Sequence, residues 1–164
     1  MAKRNLGKIS RLVPCSVTLL TVATKGKQDA MTASAMFVSE APPLLVVSVA
    51  KHIVSHDLIE KAGEFVLNVA STDQVKLAIQ LGFTHGRKVD KFKKFSIPKA
   101  KASEISSPLI EGSFANIECK VITSLSAANY VLYLAEVVAY KSDTKRSPIA
   151  WHRNRYFPLY KAIH

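Results

Sequence analysis

The sequence has few glycines, and none of them stands in a known phosphate-binding motif. Six occur among the 164 residues, and they form neither G-x-G-x-x-G nor G-x-x-x-x-G-K. The chain therefore lacks both the Rossmann fingerprint and the P-loop. A nucleotide would have to be held by backbone N–H groups and hydroxyls where a strand leads into a helix, because unpaired amides and the helix dipole favour an anion there.

Cysteines and long apolar runs are also scarce. Cys15 and Cys119 form no C-x-x-C pair, which predicts reduced thiols in a cytoplasmic protein. No stretch approaches the ~20 apolar residues of a membrane-spanning helix, so no contact with a membrane is expected. The basic start resembles a signal peptide, but Pro14 and the hydroxyl residues after it interrupt the apolar run. We expect one domain over residues 1–164.

The net charge of +11 is concentrated in one segment. Residues 86–101 hold seven basic side chains against the single Asp90. Such a segment attracts phosphates, whether of nucleic acid or of a nucleotide cofactor, or it is simply a solvated face. The phosphate candidates are its first three basic residues, Arg87, Lys88 and Lys91.

The apolar pattern predicts a mainly β fold with two interrupting helices. The predicted strands are 17–23, its hairpin partner 30–38, then 44–49, 65–69, 115–121 and 130–140. Ser55 is the predicted N-cap of a helix that ends at Gly63, and Ser71 to Gln74 has the capping-box form that opens a second helix. Short strands with two helices favour a small barrel over a doubly wound sheet.

Residues 29–57 hold the candidate functional site. Thr32, Ala33 and Ser34 place small side chains in a run otherwise typical of a β-strand, so a flat ring has room to lie on them. The apolar run 44–49 then leads into a loop and a helix start, where a phosphate would be stabilised. Together the two features predict a flavin mononucleotide (FMN) site.

Several motifs in this order resemble those of a known family. They are M-T-A-S at 31–34, V-S-E-A-P-P-L at 38–44, the strand 65–69, G-R-K-V-D-K-F at 86–92, the strand 115–121 and E-V at 136–137. On these motifs the chain resembles the flavin reductase-like, FMN-binding split-barrel family, and in particular its flavoredoxin-like branch. The resemblance extends from about Pro14 to Phe157, almost the whole chain.

The resemblance implies a six-stranded antiparallel Greek-key split barrel with flanking helices, and a homodimer with FMN near its interface. It implies that the isoalloxazine ring is lined by Met31, Thr32, Ala33 and Ser34, whose amides would tune the flavin by hydrogen bonding. It assigns the ribityl chain and phosphate to Ser48, Val49, Ala50, Lys51, Ser55 and His56. Arg87 or Lys91 would add charge-assisted contacts to the phosphate.

The chain departs from the family pattern at three places. Asn129 and Tyr130 stand where many reductases have Asp-His, Ala135 replaces a glycine, and Asp29 stands where asparagine is usual. The family associates that histidine with the nicotinamide side of the site. The sequence therefore leaves two versions open, an NADH- or NADPH-dependent flavin reductase and an electron carrier that keeps FMN bound and exchanges electrons with a partner protein. No catalytic residue is identified.

Two other functions are weaker interpretations. His52 and His56 have the i, i+4 spacing of zinc ligands, but no third ligand is evident, so no metal site is expected. A basic barrel of the OB type could bind single-stranded nucleic acid. Phe92 and Phe95 are few aromatics for such a stacking surface, so nucleic acid is only a remote alternative.

Overall fold

The computed structural model describes residues 6–87 and 89–159. Its main feature is a curled antiparallel sheet of seven strands in the order β3-β2-β6-β9-β10-β5-β4. These strands are β2 Thr18–Thr24, β3 Lys27–Ala33, β4 Ala35–Glu40, β5 Pro43–Ala50, β6 Glu64–Val69, β9 Ala115–Ala127 and β10 Tyr130–Ser142. The smaller strands are β1 Cys15–Ser16, β7 Lys99–Ala100, β8 Leu109–Ile110, β11 Ile149–His152 and β12 Arg155–Pro158.

The predicted strand 30–38 is in fact two strands that change partners at Ser34. The first, β3, pairs with β2, and β4 pairs with β5 at the other edge of the sheet. At this switch, side-chain hydroxyl groups bond the backbone on both sides of Ser34. Thr18 Oγ1 donates to Ala33 O at 2.8 Å, and Ser16 Oγ donates to Ala35 O at 2.7 Å. Because β3 and β4 are continuous, they close the sheet as one bent strand. The six-stranded split barrel is therefore confirmed.

The helices of the described part of the chain lie outside this sheet. They are α1 Val54–Ala62, α2 Val75–Phe83 and the one-turn α3 Lys91–Lys94, with 3-10 turns at Leu6–Arg11 and Thr72–Gln74. None of these helices is long and apolar enough to cross a membrane. The apolar side of α1 packs over the barrel core, which places the start of α1 beside β3.

The prediction that Ser55 caps α1 is wrong. The N-cap is Ile53, which has no side-chain hydrogen bond to the helix start. Ser55 lies inside the first turn, is fully buried, and donates to Asp29 Oδ2 at 2.7 Å. Its hydroxyl therefore bonds a carboxylate of the sheet instead of the helix N–H groups. The C-terminal prediction is confirmed, because Gly63 has φ +65°, a left-handed conformation that glycine adopts without strain.

The predicted capping box is also confirmed, although it opens a 3-10 turn before α2. Ser71 and Gln74 exchange their hydrogen bonds as the motif requires. The hairpin of β11 and β12, however, has no counterpart among the predicted strands. It pairs through β11 with β1, which places Trp151 and Tyr156 close to the switch at Ser34.

The two cysteines differ in burial, and this difference predicts different reactivity of their thiols. Both are free thiols, and Cys119 is fully buried between β6 and β10. Burial, followed by the neighbouring charge of Glu118, raises the pKa of the Cys119 thiol to about 12. At pH 8 its reactive thiolate is therefore scarce in the native state.

We expect one thiol per chain, that of the half-buried Cys15, to react with dithionitrobenzoate at pH 8, and two to react in urea. A Cys15→Ser variant should then show no fast thiol. The raised pKa of Cys119 also contributes stability that is present below about pH 9 and is lost as the pH rises toward 12. Fast reaction of the Cys15→Ser variant would contradict this description of the core.

Candidate functional site

A small cavity lies at the point where β3 passes into β4. Its volume is about 190 Å³. Its lining residues are Ser16, Val17, Thr32, Ala33, Ser34, Trp151 and Tyr156. We call this space the shelf cavity. The structure thus places the three small residues of the predicted ring site around one cavity, and it adds two aromatic side chains that were not among the predicted cofactor-binding residues.

Hydrogen bonds hold the floor of the shelf cavity in place. Thr32 Oγ1 donates to Ala78 O of α2 at 2.5 Å, and Ser34 Oγ donates to Ser16 O at 3.0 Å. Ala33 is buried and its methyl group belongs to the barrel core, so its backbone forms this part of the floor, whereas Ser34 is exposed at the rim. Met31 is half-buried and packs against the barrel core, so its side chain turns away from the cavity. The floor is therefore held by hydrogen bonds and free of large side chains.

The aromatic wall comes from the C-terminal hairpin. Trp151 of β11 is directly opposite Tyr156 of β12 in the antiparallel pair. Burial raises the pKa of the Tyr156 phenol, which is therefore protonated at neutral pH and able to donate a hydrogen bond. The concentration of aromatic residues at 151–157 was the sequence signal for this wall. Its position could not be predicted because the hairpin itself was not.

The start of α1 lies further along β3 and carries unpaired backbone N–H groups. No side chain caps this end of the helix, so its first-turn amides and its dipole are available to an anion. Arg87 lies beside it, donating from Nη2 to His52 O at 3.1 Å, with Asp57 Oδ2 3.5 Å from the same nitrogen. The Arg87 side chain is 60% exposed. Among the predicted phosphate ligands that the structure describes, Arg87 lies beside this helix start with an exposed charge.

The residues predicted at the end of β5 have different environments. Ser48 is exposed, Ala50 is half-buried, and Val49 is fully buried in the barrel core. Lys51 Nζ donates to Ser126 Oγ at 2.6 Å and to Ala128 O at 2.7 Å. Its ammonium group therefore ties the end of β5 to the β9–β10 hairpin. Because the Val49 side chain lies in the core, this residue could contact a phosphorylated ligand only through its backbone.

His56 and Tyr133 form a chain of hydrogen bonds with Glu60. The Tyr133 hydroxyl donates to Glu60 Oε1 at 2.6 Å and lies 2.6 Å from His56 Nδ1. Because the phenol proton is used by Glu60, His56 Nδ1 must be the donor to the phenol oxygen. Burial, then the hydrogen bond to Glu60, raises the pKa of Tyr133 well above its usual range. Nε2 of His56 is the nitrogen that this chain leaves for another contact.

Lys91, in contrast, is committed to a buried ion pair. Its Nζ lies 3.0 Å from Asp29 Oδ1 and donates to Ala30 O at 2.6 Å, and both charged side chains are at most 4% exposed. Ser55 donates to the other carboxylate oxygen at 2.7 Å. The structure thus places Lys91 and Ser55 around Asp29, away from the role of phosphate ligand. Lys88, the remaining basic candidate, lies outside the described residues.

Gly86 is packed against the same ion pair. A Cβ atom built at this position would lie 2.6 Å from Asp29 Oδ1, closer than real Cβ contacts allow. The carboxylate has no room to move, because Lys91 and Ser55 hold both of its oxygens. Glycine at 86 is therefore required by this close approach, and it brings the neighbouring Arg87 to the start of α1.

Comparison with known proteins gives consistent matches over nearly the whole chain. The family model described as Flavin reductase like domain matches residues 10–160. The reductase component of 4-nitrophenol 4-monooxygenase/4-nitrocatechol 2-monooxygenase from Rhodococcus opacus is 28% identical over 141 residues, which are 85% of this chain and 72% of that protein.

Two solved structures share the fold. The NADH:FAD oxidoreductase of Streptomyces globisporus C-1027 has a TM-score of 0.87 at 24% identity, covering 98% of this chain and 97% of that chain. Flavoredoxin of Desulfovibrio vulgaris (Miyazaki F) has a TM-score of 0.87 at 20% identity, covering 99% of this chain and 96% of that chain. These likenesses confirm the split-barrel fold.

Proposed function

The chain belongs to the flavin reductase like domain family, and we propose that it is an NADH- or NADPH-dependent flavin reductase that uses FMN. The observation that carries this proposal is the shelf cavity. Thr32, Ala33 and Ser34 form its floor, and Trp151 and Tyr156 form a wall with which a conjugated ring can make aromatic contacts. The cavity holds about 190 Å³, so a tricyclic ring would lie partly inside it and extend past the exposed rim at Ser34.

The residues around the shelf cavity fit FMN at both ends of the molecule. Backbone N–H groups of 32–34 would face the polar edge of the ring, and the protonated Tyr156 phenol supplies a further donor. The uncapped start of α1 and the Arg87 guanidinium would hold the phosphate. Ser48, Ala50, Lys51 and His56 remain candidate ribityl and phosphate contacts on the surrounding surface.

The flavin, when bound, would supply the redox chemistry by taking up two electrons from a reduced nicotinamide and passing them to an acceptor. The protein itself would hold the flavin ring in position and shield it from water. The floor fixes the plane of the ring, the aromatic wall excludes water from one side, and Arg87 compensates the phosphate charge. The partner that takes the electrons would be either a second, freely exchanging flavin or a redox protein.

We also propose that the protein is a homodimer. Three consecutive residues of β4, namely Met36, Phe37 and Val38, are 65%, 58% and 45% exposed. They begin two residues after Ser34, so covering this apolar strand with a second copy would also complete the open side of the shelf cavity. Sedimentation velocity should show a dimer for the wild type and a monomer for a Phe37→Glu variant.

We also propose the cytoplasm as the location of the protein, because its two free thiols fit a reducing compartment.

Anaerobic mixing with NADH or NADPH tests the proposed activity. We expect protein loaded with FMN to lose its absorbance near 450 nm at an enzyme-like rate, of order 1 s⁻¹ or faster. Free FMN at the same concentration is the control. Bleaching by dithionite or by a partner protein, but not by either nicotinamide, would instead identify an electron carrier, the version that Asn129 and Tyr130 keep open. Colourless protein that retains no flavin would refute both.

The two aromatic residues of the basic segment do not support the nucleic-acid alternative. Phe92 is buried at 5% exposure, and Phe95 is half-buried against the second core cluster. Neither ring is therefore presented for stacking on a base. The positive charge of this segment is better explained by a phosphorylated cofactor, because Arg87 lies at the helix start described above.

A further inference from the structure

The hydrogen-bonded chain of Glu60, Tyr133 and His56 determines how His56 can use its second ring nitrogen. Tyr133 has one phenolic proton, which it donates to Glu60 Oε1 at 2.6 Å. The phenol oxygen can then only accept a hydrogen bond from His56 Nδ1, which lies 2.6 Å away. A neutral imidazole carries one proton, so with that proton on Nδ1 its Nε2 holds a lone pair and is an acceptor.

This tautomer has a consequence for any phosphate that meets His56. A phosphate dianion presents only acceptor oxygens, and the neutral ring would turn a lone pair toward them. Nε2 can donate to a phosphate oxygen only after it has taken up a proton. Histidine is the side chain that can do so near neutral pH.

The position of His56 brings it to the end of α1 where we place the flavin phosphate. His56 lies in the first turn of α1, and no side chain caps the amides of that turn. Side chains on a helix lean toward its N-terminus, so the half-buried ring lies on the side of the helix start. Tyr133, which holds the ring from β10, is only 1% exposed and is fixed by the barrel core.

The other ionisable groups near the start of α1 come from the helix and from every neighbouring segment. They are Asp57 and Glu60 on α1, Tyr133 on β10, Lys51 and His52 before the helix, His85 and Arg87 after α2, and the buried pair of Asp29 and Lys91. Most of them already have a partner of opposite charge or a hydrogen bond. Arg87 is paired with Asp57, Lys91 with Asp29, and Lys51 is bonded to the β9–β10 hairpin.

The partners of His56 itself favour a positive ring. Glu60 is a carboxylate that reaches the imidazole through the Tyr133 hydroxyl, so a second proton on the ring would be stabilised through this chain. His52 and His85 are the remaining groups of this set that titrate in the same pH range, and both are exposed. They therefore serve as controls for the location of the proton.

We propose that His56 takes up a proton when the phosphate of the flavin binds, and that Tyr133 and Glu60 are positioning residues that impose this requirement by fixing its tautomer. The proton comes from the solvent and adds to the lone pair of Nε2, and the new N–H donates to a phosphate oxygen. This inference rests on the proposed flavin site. It makes the affinity for FMN, but not for riboflavin, fall as the pH rises above neutrality.

The test compares FMN with riboflavin, which differs from it only by the phosphate. Titration calorimetry at pH 7.5 in two buffers of different ionisation enthalpy gives the number of protons taken up with each ligand. At this pH the phosphate of free FMN is already a dianion, since its second pKa is about 6. The variants are His56→Gln, Tyr133→Phe, the exposed Tyr140→Phe of the same strand, and the double variant His52→Gln/His85→Gln.

For the wild type we expect about 0.5–1 proton per FMN and none per riboflavin, and an FMN affinity that falls up to about tenfold per pH unit above pH 7. His56→Gln should take up none, because its amide donates without a proton. Tyr133→Phe should take up less than the wild type, because the neutral Nε2–H tautomer becomes available. Tyr140→Phe and His52→Gln/His85→Gln should behave as the wild type. Unchanged riboflavin affinity shows that each variant is folded.

The tautomer is measured separately, without flavin. Long-range ¹H–¹⁵N spectra of the histidine rings at pH 9 should show the proton on Nδ1 of His56 in the wild type and on Nε2 in Tyr133→Phe. The proton on Nε2 in the wild type, or proton uptake that persists in His56→Gln, would overturn the inference. Binding of both flavins without proton uptake would overturn it alone. If neither flavin binds, the proposed function itself is wrong, and this inference falls with it.

Discussion

Replacing Ser34 with phenylalanine is expected to raise the dissociation constant for FMN roughly 100-fold or more, because the new ring would occupy the space that we propose for the flavin ring. The shelf cavity holds only about 190 Å³, and Ser34 lies at its rim. Since Ser34 is exposed, the larger side chain costs the fold little. Quenching of flavin fluorescence on titration with protein measures the change.

Ser34→Ala is the matched control for steric filling. It removes the hydrogen bond from Ser34 Oγ to Ser16 O but keeps the cavity open, so we expect a change in FMN affinity of no more than about fivefold. A thermal melt of each variant without flavin separates loss of binding from loss of fold. Wild-type affinity in the phenylalanine variant would show that the flavin ring lies elsewhere.

Replacing Lys91 with methionine is expected to lower the free energy of unfolding by about 3–5 kcal/mol, the usual cost of leaving one member of a buried ion pair without its partner. The Asp29 carboxylate is almost fully buried and would keep only the hydrogen bond from Ser55. Equilibrium unfolding in urea measures the loss. Lys94→Met is the control, since that lysine is exposed and its replacement should change stability by less than about 0.5 kcal/mol.

A compensating change distinguishes charge from packing. In the double variant Asp29→Asn/Lys91→Met no charge is buried, and the asparagine oxygen still accepts from Ser55, so we expect most of the lost stability to return. Asparagine is also the residue that the family resemblance makes usual at this position. If the double variant is less stable than Lys91→Met alone, the ion pair is not what Lys91 contributes.

Local features of the fold were predictable from the sequence. The residue pattern of a strand is a property of that strand by itself. Runs rich in β-branched and apolar residues located β2 and β6, and alternation of apolar and polar residues located the first part of β9. Gly63 and the Ser71 to Gln74 motif act within one helical turn, so their sequence spacing was sufficient to identify them. Ser55 was misassigned because a serine before a helical pattern is equally compatible with a cap and with an inward-facing hydroxyl, and only the buried Asp29 decides between them.

Contacts between distant parts of the chain were not predictable in this way. The pairing of Asp29 with Lys91 depends on where α3 packs on β3, and the aromatic wall depends on where the C-terminal hairpin lies. The sequence correctly identified the basic segment, but its cationic side chains lie in different environments. Lys91 is buried, Arg87 reaches the helix start, and Lys99 is exposed and donates to Gln28 Oε1. Spacing along a sequence carries no information about such a division.

The sequence by itself determined a small, mainly β barrel and the small floor at 32–34, because these follow from residue type and order along single stretches of chain. The split barrel and the family followed from the resemblance of several motifs, in their order, to a known family. Only the tertiary structure decided which side chains surround that floor, which cations are exposed, and which ring nitrogen of His56 is bonded to Tyr133. These depend on the change of strand partners at Ser34 and on long-range packing, where burial and hydrogen-bond geometry, rather than local propensity, fix the outcome.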